Sequence, residues 1–142
     1  MRILVDTNVL LDELTGRQPY FDNADRIIKL CADKKVFGYM AAHSIPNMFY
    51  ILRKDMPEDS RREALLNLCE IFTVEGVDSS KIIAALKNVE FQDMEDCLQE
   101  RCAVSVKADY IVTRNIKDFE FAAVPAVLPE QFLELMDKKD AE

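Results

Sequence analysis

Carboxylates carry the chemistry that this sequence offers. Asp6 directly follows a short apolar run, Asp93 and Asp96 open a helical segment, and Asp118 follows a second apolar run. Carboxylates gathered in one place repel strongly unless they are protonated or bridged by cations. An oxygen-only donor set suits Mg²⁺ or Mn²⁺, which keep several waters and take one or two carboxylates each. Such a site can activate a water and stabilise the leaving oxygen in in-line phosphodiester cleavage. That chemistry needs no histidine, and His43 is the only histidine in the chain. A site built from several histidines, such as the HExxH zinc helix, is therefore excluded. Gly16, Gly38 and Gly76 stand alone, so neither a P-loop nor a GxGxxG dinucleotide turn can be built.

The elements that must hold these acids alternate. Short apolar runs at Arg2–Val5, Val36–Ala41, Thr73–Val77 and Tyr110–Thr113 predict strands, with Val124–Leu128 as an edge strand. Between them helices are expected over Asn8–Leu14, Asp22–Lys34, a segment capped by Ser44, Glu58–Ile71, Ser80–Leu86 and Gln92–Val106. Ala24, Ile27, Ile28 and Cys31 mark the buried face of the second. Pro129 opens a last helix ending near Met136, and residues 136–142 read as a charged tail. No repeat or low-complexity linker divides the chain, so residues 1–142 are expected to form one domain. The alternation predicts a layered α/β fold around a mostly parallel sheet.

In right-handed βαβ units the strand carboxyl ends and the returning helix N-termini share one rim, where α/β ligands bind. That rim would gather Asp6, Asn47, Asp93, Asp96, Thr113, Asn115 and Asp118. Taken singly, each has a plainer reading. Asp6 or Asp93 can serve as an N-cap, Asp96 can favour a helix dipole, Asp118 can be a turn residue, and Thr113 can simply end a strand. His43 reads as a hydrogen-bonded rim residue, and Glu90, Glu95 and Glu100 as a solvated helix face. Only joint placement on one rim raises the functional reading.

Eighteen Lys and Arg against 26 Asp and Glu give a net charge of −8, which argues against a sequence-independent grip on phosphate backbones. Divalent ions on the acidic rim would offset part of that charge. Arg2, Arg17 and Arg114 are the cations available to help, although Gly16–Tyr20 also reads as an ordinary surface turn. Cys31, Cys69, Cys97 and Cys102 lack CxxC spacing and sit in apolar helical patterns, so buried thiols are expected. Free thiols, with no leader and no membrane-length apolar run, fit a cytoplasmic setting.

Three segments resemble, in order and spacing, the motifs of the PIN domain: Ile3–Asp12, Phe91–Asp96 and Ile111–Phe119. The segment Val127–Phe132 is similar to that family's closing strand and helix. The resemblance implies a three-layer α/β/α nuclease fold and a Mg²⁺- or Mn²⁺-dependent ribonuclease acting on RNA. It also implies kinship with VapC-like toxins, which form homodimers and are held by an antitoxin protein. By position, Asp6 and Asp96 match the family's metal-binding acids and Asp93 an additional acid. Thr113, Asn115 and Asp118 match the last motif. Asn47 stands where the family commonly places a Glu, which would weaken a second metal position.

Two other readings remain open. One is a catalytically weak or inactive PIN-like module that binds RNA or a protein partner. The other is a phosphohydrolase with Asp6 as nucleophile, resembling the haloacid-dehalogenase enzymes, but Asn8 stands where their acidic second Asp belongs.

Overall fold

The computed structural model describes residues 1–141. Five strands, β1 (Arg2–Val5), β2 (Phe37–Ala41), β3 (Thr73–Glu75), β4 (Tyr110–Val112) and β5 (Ala126–Val127), form one sheet in the order β3-β2-β1-β4-β5. All four pairings are parallel. Parallel neighbours need crossovers, and helices supply them: α1 (Thr7–Thr15), α2 (Phe21–Ala32), α3 (Ser44–Ile51), α4 (Glu58–Ile71), α5 (Ser79–Lys87), α6 (Met94–Ser105) and α7 (Pro129–Asp140). The result is the layered α/β fold with a parallel sheet expected from the alternation, in the three-layer α/β/α form that the resemblance implies. None of the described helices is long and apolar enough to cross a membrane.

Side-chain alternation along each strand splits the core in two. Ile3, Val5, Met40 and Val112 point to one face and pack with Val9, Leu10, Ile27, Met48, Leu68 and Phe132. Leu4, Ala41 and Ile111 point to the other and meet Ala85, Cys97, Cys102 and Phe119. Hence α1–α4 and α7 cover one side of the sheet, and α5 and α6 the other. At Gly38, on β2, an added Cβ would lie 2.6 Å from Phe72 Cδ1 and 2.7 Å from Cys31 Sγ. Gly38→Ala is therefore expected to lower stability by ~1–3 kcal/mol through overpacking; urea denaturation measures it, and an unchanged midpoint would refute it.

Several local expectations are corrected. The residues expected as a charged tail from 136 continue α7 to Asp140, with Met136 buried; Glu142 lies outside the described residues. Lys138 and Lys139 in the last turn favour the helix dipole there. Ser44 does not cap α3, since His43 occupies the cap position without a side-chain bond. The Ser44 hydroxyl is instead buried in a network with Thr7 and Gln99. Glu100 is buried rather than solvated: it pairs with Arg101 and accepts a hydrogen bond from the Ala123 amide. Cys31, Cys97 and Cys102 are buried but Cys69 is exposed, and burial pushes the Cys31 thiol up to about 12. Helix α6 begins two residues later than expected, because the Asp93 carboxylate caps it by accepting from the Glu95 and Asp96 amides.

Candidate functional site

The strand order sets where a site can form. From β1 the chain steps outward to β2 and β3, then returns to the opposite side of β1 as β4. The carboxyl ends of β1 and β4 are thus the switch point of the sheet, where adjacent connections diverge and leave a crevice. Asp6 stands at the end of β1 and Thr113 at the end of β4. The Asp6 amide donates to the Val112 carbonyl at 2.9 Å, which carries the β1–β4 ladder one residue past β1.

Asp6 is 6% exposed, and both of its carboxylate oxygens accept hydrogen bonds. Oδ1 accepts from the Thr7 amide at 2.8 Å. Oδ2 accepts from Thr113 Oγ1 at 2.8 Å and from Asn8 Nδ2 at 3.3 Å. The N-cap reading of Asp6 is thus correct, and it coexists with a position in the crevice. Burial pushes its pKa up to about 6 against the pull of these hydrogen bonds, with Glu95 and Asp118 adding to the rise. Thr113 Oγ1 also accepts from the Asn115 amide at 3.0 Å.

The other three acids line one cleft of about 480 Å³ with Glu90, Lys117 and Glu120. Asp6 does not line that cleft, but its charge reaches Asp96. The pKa of Asp96 is pushed up to about 7, first by burial and then by Asp93, Asp6, Asp118 and Glu95. None of Asp6, Asp93, Asp96 and Asp118 is salt-bridged among the described residues. Asp118 sits on a 3-10 turn, Ile116–Phe119, that brings it back toward α6.

The fit to a divalent cation rests on charge and donor chemistry. Unpaired carboxylates that raise one another's pKa values are what a cation would relieve. Among the described residues, no three His, Cys, Asp or Glu side chains converge into a closed cage. Mg²⁺ does not require one, because it retains waters and takes one or two carboxylates directly.

The remaining expected residues divide. Asn115 sits beside Thr113 through its backbone. Asn47 does reach the rim, but its Nδ2 donates to Glu95 Oε1 at 2.9 Å. Glu95, expected on a solvated face, is therefore drawn toward Asn47 and adds its charge to Asp6 and Asp96. The expected hydrogen bond to His43 is missing: neither buried ring nitrogen has a partner of ordinary geometry among the described residues. Burial pushes its pKa down, against the opposing influence of Glu95.

Sequence reasoning named Asn8 and Arg114 but not their contacts, and it missed Gln99 altogether. Asn8 links Asp6 and Thr113; its place two residues after Asp6 is a signal that could have been used. Gln99 donates to Thr7 Oγ1 at 3.2 Å and to Ser44 Oγ at 2.8 Å, joining the starts of α1 and α3 to α6. Arg114 pairs with buried Asp12 through Nε at 2.7 Å and Nη2 at 3.3 Å.

A buried aspartate at the switch point of an all-parallel five-stranded sheet, with further acids beside it, defines an α/β protein with an acidic strand-end site. The PIN-domain family profile matches residues 2–117, and the chain belongs to that family. The match contains Asp6, Asn47, Asp93, Asp96, Thr113 and Asn115 and stops one residue before Asp118. No curated protein matches the chain by sequence.

Solved structures share the fold at low identity. VapBC-1 from nontypeable Haemophilus influenzae aligns at a TM-score of 0.68 and 16% identity, over 92% of this chain and 99% of that one. VapBC2 from Rickettsia felis, bound to a DNA fragment from its promoter, aligns at 0.67 and 16%, over 90% and 98%. VapC20 from Mycobacterium tuberculosis, a sarcin–ricin loop cleaving toxin, aligns at 0.63 and 16%, over 85% and 93%.

Proposed function

We propose that this PIN-domain protein is a Mg²⁺- or Mn²⁺-dependent endoribonuclease and the toxin of a toxin–antitoxin pair. The observation that carries the reading is the unpaired carboxylate group at the β1–β4 switch point, with Asp6 and Asp96 raised to about 6 and about 7. Asp6 and Asp96 are the direct ligands in this reading, and Asp93 and Asp118 contribute directly or through water. A bound divalent ion supplies Lewis-acid assistance to phosphodiester hydrolysis.

The chain's own residues fix the geometry. Thr113 and the Thr7 amide hold both oxygens of Asp6, so its orientation is set before a cation arrives. Asp93 caps α6 and thereby orients the first turn that bears Asp96. Thr113 and Asn115 orient water or phosphate at the end of β4. Asn47 acts there indirectly, by holding Glu95.

The toxin assignment draws on the VapBC complexes among the structural neighbours and on the sarcin–ricin loop cleaving toxin. An antitoxin partner and a homodimer belong to the same proposal. They are supported by apolar side chains left on the surface of α5 and just beyond it, where Leu86 is 64% and Val89 91% exposed.

Incubation of the purified protein with single-stranded RNA and Mn²⁺ is the test. Cleavage that disappears with EDTA and in Asp96→Ala is expected. RNA left intact by the wild type, with Mn²⁺ binding absent in calorimetry, would favour the non-catalytic binding module instead. The hydrogen bond between Asn47 and Glu95 is the observation that favours that second reading, because it occupies the amide standing where the family commonly has a Glu.

A further inference from the structure

A second cleft lies on the other side of Asn8 from the acids. It has a volume of about 560 Å³ and is lined by Asn8, Asp12, Arg17, Ile51, Asp55 and Arg114, among others. Asn8 connects this cleft to Asp6. Its Nδ2 reaches Asp6 Oδ2, and its Oδ1 accepts from the Arg114 amide at 3.4 Å. The cleft therefore adjoins the Asp6 site across one side chain.

Its charge differs from that of the acidic cleft, where Glu90, Asp93, Asp96, Asp118 and Glu120 face a single Lys117. Here Asp12 is neutralised by Arg114, which uses Nε and Nη2 for that pair and leaves Nη1 without a bond to Asp12. The Arg114 guanidinium lies 4.1 Å from the Tyr20 ring centroid and that of Arg17 lies 5.7 Å from it. Arg17 is exposed and forms no salt bridge among the described residues. Asp55 is the remaining acid facing the cleft.

The loop that presents Arg17 is held in place. Gly16 ends α1 at φ 64°, a left-handed conformation that glycine adopts without strain. The Arg17 amide then donates to the Asp12 carbonyl at 3.1 Å, and the Tyr20 amide to the Arg17 carbonyl at 3.0 Å. An unpaired arginine on a tethered turn, beside an aromatic ring and a second guanidinium, is the combination that grips a single-stranded nucleic-acid backbone.

We propose that this cleft is a substrate subsite, in which Arg17 and the free Nη1 of Arg114 hold a backbone phosphate of single-stranded RNA beside the Asp6 site. The proposal rests on the ribonuclease reading. It answers a need of that reading, since a chain of net charge −8 with five acids in one cleft repels the rest of an anionic substrate unless cations outside that cleft hold it.

The test is steady-state cleavage of single-stranded RNA with Mn²⁺ by the wild type, Arg17→Ala and Arg17→Lys over a series of KCl concentrations. Arg17→Ala is expected to raise KM roughly tenfold with kcat within about twofold of wild type. The slope of log kcat/KM against log salt should become shallower by about 0.7, the loss of one phosphate contact on a single strand. Arg17→Lys should restore most of that slope. Unchanged KM and slope in Arg17→Ala, with an active wild type, would overturn the subsite alone. A raised KM with an unchanged slope would also overturn it, because charge would not be what was lost. A wild type that leaves RNA intact would overturn the ribonuclease reading and the subsite with it.

Discussion

Asp6→Asn is expected to silence RNA cleavage while making the metal-free protein more stable at pH 7.5. Asparagine keeps the size and one carbonyl oxygen of the aspartate but removes the charge that would hold a cation, so Mn²⁺-stimulated cleavage should fall at least roughly a hundredfold. The stability gain follows from the same burial. With a folded pKa of about 6 against 3.8, keeping Asp6 ionised at pH 7.5 costs on the order of 3 kcal/mol relative to the unfolded chain.

Part of that gain is returned through hydrogen bonding. The substituted side chain would still accept from the Thr7 amide through its carbonyl oxygen. Its new amide nitrogen would face Asn8 Nδ2 and the Thr113 hydroxyl, however, so Asn8 must reorient and Thr113 must turn its hydroxyl to accept. A net stabilisation of ~1–2 kcal/mol is expected. Urea denaturation in EDTA reads the stability and RNA cleavage with Mn²⁺ reads the function. Retained cleavage would remove Asp6 from the site, and a large loss of stability would show that its hydrogen bonds outweigh its charge.

The paired outcome separates what was legible in the sequence from what was not. Asp6 was legible twice, as an N-cap and as a strand-end acid, because both readings depend only on its neighbours in the chain. Asp93 was legible as a cap for the same reason. The helix alternation and the parallel sheet followed from the apolar runs, which are long enough in β1 and β2 to be unambiguous.

The misreadings at Ser44, Glu100 and Glu95 share a different cause. Each of these polar side chains is claimed by a partner 23 or more residues away: Thr7 and Gln99 for Ser44, Ala123 for Glu100, Asn47 for Glu95. Local rules assign such residues to caps or solvent, because these partners are remote in the sequence and Arg101, beside Glu100, does not itself reveal burial. Arg114 and Asp12, 102 residues apart, were beyond local reasoning in the same way.

In EDTA, Asp6 and Asp96 should make the protein lose stability as pH rises from about 4 to about 7, and divalent metal should restore it most at the upper end. Both groups have folded pKa values, about 6 and about 7, above the ordinary 3.8. Across the intervening window the folded state binds more protons than the unfolded state, so the free energy of unfolding falls with rising pH. Their favourable contribution is complete below the unfolded pKa and is lost as pH passes through the folded values. Glu13, raised to about 7 by burial and by its neighbour Asp25, adds a slope of the same sign away from the site. Asp25 and Glu58, whose pKa values are lowered by Lys29 and Arg62, act in the opposite sense at lower pH, as their carboxylates protonate. A cation competes with protons for the carboxylates, so its binding weakens below about pH 6–7 and releases protons where it succeeds. Calorimetric melting with and without millimolar Mn²⁺ should therefore show a larger rise in Tm at pH 8 than at pH 5. Glu13→Gln should flatten the slope in EDTA and leave the Mn²⁺ effect intact, which separates the two sources. An equal Mn²⁺ shift at both pH values, or none at either, would mean that Asp6 and Asp96 do not hold the metal.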